Sequence, residues 1–206
     1  MNLAAIILAA GYSSRIGDFK PLMQLGGQSL LGHCVDLFHQ AGIKNITVVT
    51  GYRHQEVETE AEKFALTCIH NPNHDQGMYS SVCAAVSQLK QVHGFFILPV
   101  DIPLLRPATI STLLAAFTRR AVVYPCFQGL RGHPPLIPAK LIPTILGHDG
   151  SGGLQSLLEK EGSREIPVWD LGILLDADTP EDFAVLQQRQ KPDRSGVPSN
   201  RWLSAP

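Results

Sequence analysis

The sequence predicts an α/β protein in which a twisted, mainly parallel but mixed sheet lies between two layers of helices. Short apolar or β-branched runs alternate with segments of helical character through most of the 206 residues, which is typical of this class. The first run, residues 3–8, is wholly apolar, as expected for a central strand that is buried on both faces. The chain is 44% hydrophobic and 17% charged, and this composition excludes general disorder.

The predicted elements follow one another in a regular order. Strands are predicted where apolar or β-branched residues cluster, over 3–8, 46–50, 66–69, 95–100, 122–124 and 173–175. The first helix is expected between Ser29, which is suited to cap its start, and Gly42, which is suited to end it. Further helices are predicted over 52–64, 80–89, 107–117 and, after a turn that begins at 176, up to 187. Residues 129–138 are interpreted as a loop or hairpin.

The domain organisation is predicted from length and from the composition of the last residues. A chain of this length is sufficient for one full domain, and we assign it to residues 1–190. Residues 191–206 mix proline, serine, asparagine and arginine with little periodicity, so they are predicted to form a flexible tail.

Charge, cysteine content and the apolar start exclude several classes of partner. Lysine plus arginine number 17 and aspartate plus glutamate 18, so the basic excess of a nucleic-acid binder is missing. The four cysteines are widely spaced without a zinc-type pattern, which indicates buried thiols in a reducing compartment, the cytoplasm. The first apolar run is short and has no basic residues before it, so neither a signal peptide nor a membrane association is expected.

A glycine-bearing loop, residues 11–20, follows the first predicted strand. Ligands of open α/β sheets bind beyond the carboxyl ends of the strands, which is where this loop must lie. Glycine lets backbone N–H groups approach an anion, and Arg15 and Lys20 add two positive charges. We interpret the loop as a phosphate-binding segment; the alternative is an ordinary connection with solvated charges. It is neither a Walker A loop nor the G-x-G-x-x-G of dinucleotide oxidoreductases.

Two aspartates are candidate metal ligands. Asp101 follows an apolar strand, and a carboxylate there can hold Mg²⁺ against a triphosphate; the alternative is a cap for the turn at Pro103. Asp178 is the second candidate, and its alternative is the N-cap of the last helix. Asp176 is interpreted as structural.

Several segments of the chain together resemble one known family. The stretch after the first strand reads Leu8-Ala9-Ala10-Gly11-x-Ser13-x-Arg15-x-Gly17-x-x-Lys20-Pro21-Leu22. It resembles the signature of the MobA-like nucleotidyltransferases, and Ala10 is similar to the branch of molybdenum cofactor cytidylyltransferases. Other segments that resemble this family are 71–81, 99–104, 132–135 and 176–182. The resemblance covers about residues 3–190.

The resemblance implies a nucleotide-diphospho-sugar transferase-like, Rossmann-type fold and a Mg²⁺-dependent reaction. CMP from CTP would be transferred to a phosphate-bearing acceptor, molybdopterin, with release of pyrophosphate, and a molybdenum enzyme would be the client protein. The resemblance implies catalytic roles for Arg15, Lys20 and Asp101. It implies that Asp101 and Asp178 bind the metal. Nucleotide binding falls on Leu8, Ala9, Ala10, Gly11, Ser13, Asn71, Gly77 and Ser81. The alternative interpretation of Ser80 and Ser81 is that they cap the helix that follows. His133 is the implied acceptor contact, and the other histidines are interpreted as having no functional role.

One departure from the family keeps two alternatives open. The cytidylyltransferases carry a G-D-x-G-A-R stretch, whereas residues 147–153 read GHDGSGG and lack its arginine. The first alternative is a cytidylyl- or uridylyltransferase that acts on a sugar or polyol phosphate. The second is a non-catalytic nucleotide- or cofactor-binding chaperone of a molybdenum enzyme. Each hypothesis of an enzymatic function requires the loop with Arg15 and Lys20 to share one cleft with Asp101.

Overall fold

The computed structural model describes residues 1–190, and the predicted tail over 191–206 lies outside them. The described strands are β1 (Leu3–Ala9), β2 (Gln24–Leu25), β3 (Gln28–Ser29), β4 (Asn45–Thr50), β5 (Thr67–His70), β6 (Gly94–Pro99), β7 (Val122–Phe127), β8 (Leu130–Arg131), β9 (Leu136–Pro138) and β10 (Ser163–Pro167). The described α-helices are α1 (Leu30–Gln40), α2 (His54–Glu62), α3 (Met78–Val86), α4 (Pro107–Ala116), α5 (Ile142–Gly147), α6 (Gly153–Leu158) and α7 (Pro180–Gln190).

A mixed sheet forms the middle layer. Its strand order is β10-β7-β9-β6-β1-β4-β5, and β8 pairs with β7 at one end. Strand β1 lies inside the sheet, runs parallel to both β4 and β6, and is buried along its whole length. Strand β9 runs antiparallel between β6 and β7, so the sheet is mixed as predicted. The strands β2 and β3 form a separate hairpin.

Helices cover both faces of this sheet. Successive side chains of a strand point to opposite faces, so Ala5 and Ile7 enter one core while Ala4 and Ile6 enter the other. The first core also contains buried residues of α1, α2 and α4, and the second contains those of α3, α5 and α6. This arrangement confirms the predicted three-layer α/β architecture.

The strand predicted over 173–175 is wrong. Leu171–Leu174 forms a 3-10 turn, and the Asp170 carboxylate caps it by accepting from the Gly172 N–H. The last strand is β10, which pairs in parallel with β7. Because β10 is mostly exposed at the sheet edge, it lacks the apolar run by which strands are recognised. Ile173 is buried, but an apolar run does not by itself distinguish a strand from a packed turn.

Helix starts were predicted with mixed success. Ser29 caps α1 as expected, because its hydroxyl accepts from the Gly32 N–H at 3.0 Å. The helix predicted to begin at Ser80 instead begins at Met78, and Gly77 is its N-cap with a φ of 91°. This left-handed φ favours glycine, which explains why the helix can start there. Ser80 therefore lies inside the first turn and does not cap the helix. The short helices α5 and α6 were not predicted.

In the part of the chain described here, no helix is long and apolar enough to traverse a bilayer. All four cysteines are free; Cys34 and Cys126 are buried, and Cys68 and Cys83 are partly buried.

Candidate active site

The glycine-bearing loop leaves the sheet at the carboxyl end of β1. The Tyr52 N–H donates to the Ala10 carbonyl at 3.1 Å, which ties the start of the loop to the segment after β4. Ser13 adopts a left-handed φ of 58°, and its hydroxyl accepts from the Lys20 N–H at 3.0 Å. The loop thus folds back on itself and directs Lys20 toward the ends of β1 and β6.

Lys20 lies between two carboxylates. Its Nζ donates to Asp101 Oδ2 at 2.8 Å and to Asp178 Oδ1 at 2.6 Å, and only 10% of its side chain is exposed. Burial acts to lower the pKa of Lys20, but the hydrogen bonds and the charges of both aspartates outweigh it and raise this pKa. Lys20 therefore stays charged at neutral pH and holds the two carboxylates together.

Asp178 faces two cations rather than the helix that follows it. Besides its bond to Lys20, its Oδ2 lies 2.9 Å from a guanidinium nitrogen of Arg15. The hydrogen bond from Lys20 lowers the pKa of Asp178 against the opposing effect of burial. The cap of α7 is Thr179, whose hydroxyl accepts from the Asp182 N–H at 3.2 Å. The N-cap interpretation of Asp178 is therefore wrong.

Asp101 is brought to the same place by the end of β6. Its carboxylate accepts from Lys20, and its backbone carbonyl accepts from the Ala177 N–H at 2.8 Å, which fixes the segment carrying Asp178 beside it. Asp176 also lies near both carboxylates. Burial first, and then the charges of Asp178 and Asp101, raise the pKa of Asp176. Negative charge is thus concentrated where Lys20 and Arg15 offset it.

A cleft of about 360 Å³ joins the loop to these aspartates. The predicted site residues on its walls are Leu8, Ala9, Ala10, Gly11, Ser13, Arg15, Lys20, Gly77, Ser81, Asp101 and Asp178. The structure therefore meets the condition set by the sequence, since the loop with Arg15 and Lys20 and the carboxylate of Asp101 share one cleft.

Asn71 lies behind the cleft wall instead of on it. It is buried, and its amide nitrogen donates to the hydroxyls of Ser80 at 2.8 Å and Ser81 at 3.0 Å. Its side-chain oxygen accepts from the Asn73 N–H at 3.0 Å. Asn71 is thus engaged within the protein, and it orients Ser81, which does reach the cleft.

The segment that departs from the family pattern and the predicted acceptor residue His133 both lie outside the cleft. A second hollow of about 490 Å³ is lined by Asn71, Tyr79 and the segment His148–Gly150, which departs from the family pattern. His133 is exposed in the loop between β8 and β9 and lines neither hollow. His133 therefore lies outside the cleft that contains Asp101.

Sequence reasoning missed an aromatic cluster at the cleft. Tyr12 and His74 line the cleft, and their ring centroids are 5.3 Å apart. The ring of Tyr52 also packs against Tyr12, with a centroid distance of 5.1 Å. No local signal marks this cluster, because its members come from three separate connections of the fold.

A loop with two cations that faces paired carboxylates at the carboxyl edge of a mixed α/β sheet is the arrangement expected of a nucleotidyltransferase. The profile of the MobA-like NTP transferase domain matches residues 5–165, and the chain belongs to this family. The molybdenum cofactor cytidylyltransferase of Escherichia coli K12 is 30% identical to it over 187 residues, which cover 89% of this chain and 95% of that protein.

Solved structures show the same fold. A nucleotidyl transferase from Methanothermobacter superimposes with a TM-score of 0.81 and 20% identity, covering 91% of this chain and 96% of that one. The manganese complex of Rv0371c from Mycobacterium tuberculosis H37Rv superimposes with a TM-score of 0.78 and 21% identity, covering 91% and 99%. The architecture is that of the nucleotide-diphospho-sugar transferases, as the resemblance implied.

Proposed function

We propose that the protein transfers CMP from CTP to the terminal phosphate of molybdopterin cofactor and releases pyrophosphate, with Mg²⁺ as its metal. The observation that carries this proposal is the bridge that Lys20 makes between Asp101 and Asp178 beside the glycine-bearing loop. The similarity to a molybdenum cofactor cytidylyltransferase over 89% of the chain supports the choice of nucleotide and acceptor.

The carboxylates fit a magnesium ion. Asp101 and Asp178 each place an oxygen within hydrogen-bond distance of the Lys20 ammonium, so the two carboxylates lie side by side, and Mg²⁺ would take the place between them that this ammonium now occupies. Mg²⁺ prefers oxygen ligands and is commonly held by one or two carboxylates together with substrate phosphates. When bound there, Mg²⁺ would supply neutralising charge to the triphosphate.

The chain's own residues would act mainly by positioning and by charge. Both reactants are anionic, so their repulsion must be offset before the acceptor phosphate can attack the α-phosphorus in line. Lys20, Arg15 and the backbone N–H groups of the loop would hold the outer phosphates and stabilise the departing pyrophosphate. A phosphate nucleophile is already ionised at neutral pH, so the reaction needs no general base.

The remaining predicted residues divide between base and acceptor. Gly77 and Ser81 line the cleft, and Asn71 orients Ser81, so we assign these three residues to the nucleobase side. His133, which is exposed in the loop between β8 and β9 outside the cleft, is assigned to the acceptor side because of the family resemblance. The product would then be handed to a molybdenum enzyme as client.

Pyrophosphate release tests the proposal. The purified chain is incubated with each of the four NTPs and Mg²⁺, with and without molybdopterin, and pyrophosphate is measured. We expect release only with CTP and only when the acceptor is present. Asp101→Asn should abolish release, whereas Asp36→Asn on α1 is the matched control and should retain it. Near-normal release by Asp101→Asn would remove this carboxylate from the mechanism.

A second acceptor class has one observation in its favour. The segment 147–153 lacks the arginine of the resembled family, and its residues 148–150 line the second hollow. Release of pyrophosphate with sugar or polyol phosphates, but not with molybdopterin, would therefore establish the alternative transferase. No release with any acceptor, together with tight nucleotide binding, would establish the chaperone alternative.

A further inference from the structure

A second cluster of metal-ligating side chains lies outside the cleft, between α2 and the end of β5. His54 and Glu58 belong to α2, and His70 is the last residue of β5. One ligand atom from each of the three residues lies within 4.8 Å of the others. None of the three lines the cleft that carries Asp101, so the cluster is separate from the proposed CTP site.

The fold explains why these three residues meet. Positions i and i+4 of a helix share one face, which places Glu58 one turn after His54. Strand β5 pairs in parallel with β4, and His70 lies directly beside Thr50 in that pairing. Thr50 is fully buried, and its hydroxyl donates to Glu58 Oε1 at 3.3 Å. Such a hydrogen bond behind a ligand orients it toward a metal.

The distances suit a small coordination sphere. A tetrahedral zinc ion with bonds of about 2.0–2.1 Å separates its ligand atoms by about 3.4 Å. His54 Nδ1 and Glu58 Oε1 already lie 3.3 Å apart. The rings of His54 and His70 have centroids 4.3 Å apart, and the ligand atom of His70 lies within 4.8 Å of those of His54 and Glu58.

The donor set selects the class of metal. Two imidazoles and one carboxylate suit divalent transition metals, whereas Mg²⁺ prefers oxygen ligands alone. We infer that His54, Glu58 and His70 form a binding site for a divalent transition metal, with zinc as the expected ion and water in the remaining position. The metal would link α2 to the edge strand β5, whose last residue, His70, directly precedes Asn71.

Zinc titration of the untagged full-length chain tests this inference. Calorimetry in excess Mg²⁺, which occupies oxygen-only sites, should show a single equivalent of Zn²⁺ bound. His54→Ala and His70→Ala should each weaken binding at least about tenfold, because loss of a supporting residue behind a ligand already costs about 10–100-fold. His39→Ala, an exposed histidine on α1, is the matched control and should bind as the unchanged chain does.

A spectroscopic readout and a conservative variant complete the test. With Cu²⁺ as the probe, electron paramagnetic resonance should show nitrogen coupling from two imidazoles, reduced to one in His70→Ala. Zinc should raise the melting temperature of the unchanged chain. Glu58→Gln keeps the shape of the side chain, so this variant should have the same metal-free melting temperature, but zinc should not raise it. The inference would be overturned if the unchanged chain does not bind zinc. It would also be overturned if His54→Ala, His70→Ala and Glu58→Gln bind zinc as tightly as the unchanged chain does.

Discussion

Replacement of Lys20 by methionine is the perturbation that most directly probes the site. Methionine keeps an unbranched apolar stem of similar length but removes the ammonium group that now donates to Asp101 and Asp178 at 2.8 and 2.6 Å. When CTP is bound, we expect this ammonium to donate to the outer phosphates. CMP lacks those phosphates, so the substitution should discriminate between the two nucleotides.

The magnitude follows from the value of a charged hydrogen bond. Such a bond contributes about 1.5–3 kcal/mol, which corresponds to about a 10–150-fold loss of CTP affinity. The loss of one preorganised donor to the developing charge should lower kcat by about 10²–10³-fold. CMP affinity should change little, because Lys20 would not contact the α-phosphate.

The assay compares binding of CTP and CMP by calorimetry and measures turnover by pyrophosphate release. Lys44→Met is the matched control. Lys44 is exposed and directly precedes the amino end of β4, whereas the cleft lies at the carboxyl ends of the strands. It should leave both affinities and turnover unchanged. Equal losses of CTP and CMP affinity in Lys20→Met, or an unchanged kcat, would refute the pyrophosphate role of Lys20.

Three further predictions concern stability and reactivity. Gly77→Ala should lower the free energy of unfolding by about 1–3 kcal/mol in urea titrations, because φ 91° and ψ 175° are nearly restricted to glycine; an unchanged midpoint would contradict this. Ser29→Ala should cost about 1 kcal/mol through loss of the α1 cap, and a stability equal to that of the unchanged chain would argue against the cap. Burial, with a smaller effect from the charge of Asp101, raises the pKa of the Cys34 thiol. Cys34 should therefore react with a thiol reagent at pH 8 only after the chain is denatured. Rapid labelling of Cys34 in the native chain would show that this part of the core opens.

The fold was predictable where local signals and burial agree. Strand β1 is an apolar run because both of its faces are covered, and Ser29 and Gly42 mark the two ends of α1 by their own backbone chemistry. The prediction failed for β10, whose exposed position at the sheet edge requires no apolar pattern. It also failed for residues 173–175, which are apolar because the turn they belong to packs into the core.

The candidate site was predictable by residue type but not by arrangement. The loop with Arg15 and Lys20 and the aspartate after β6 were found from their positions at strand ends. The placement of Asn71 behind Ser81 could not be found, because burial of an amide depends on what packs over it. The cap of α7 was also ambiguous, since Asp178 and Thr179 are both suitable caps and only their geometry distinguishes them.

The sequence by itself determined the alternation of strands and helices, the position of the candidate phosphate-binding loop and the family signature, because each depends on residues that are near one another in the chain. Only the tertiary structure decided that Lys20 bridges Asp101 and Asp178, which lie 81 and 158 residues further along the chain. It also decided that His70 joins His54 and Glu58. The physical reason is that parallel strand pairing brings the carboxyl ends of distant strands to one edge, and the hydrogen bonds and charges that matter form only there.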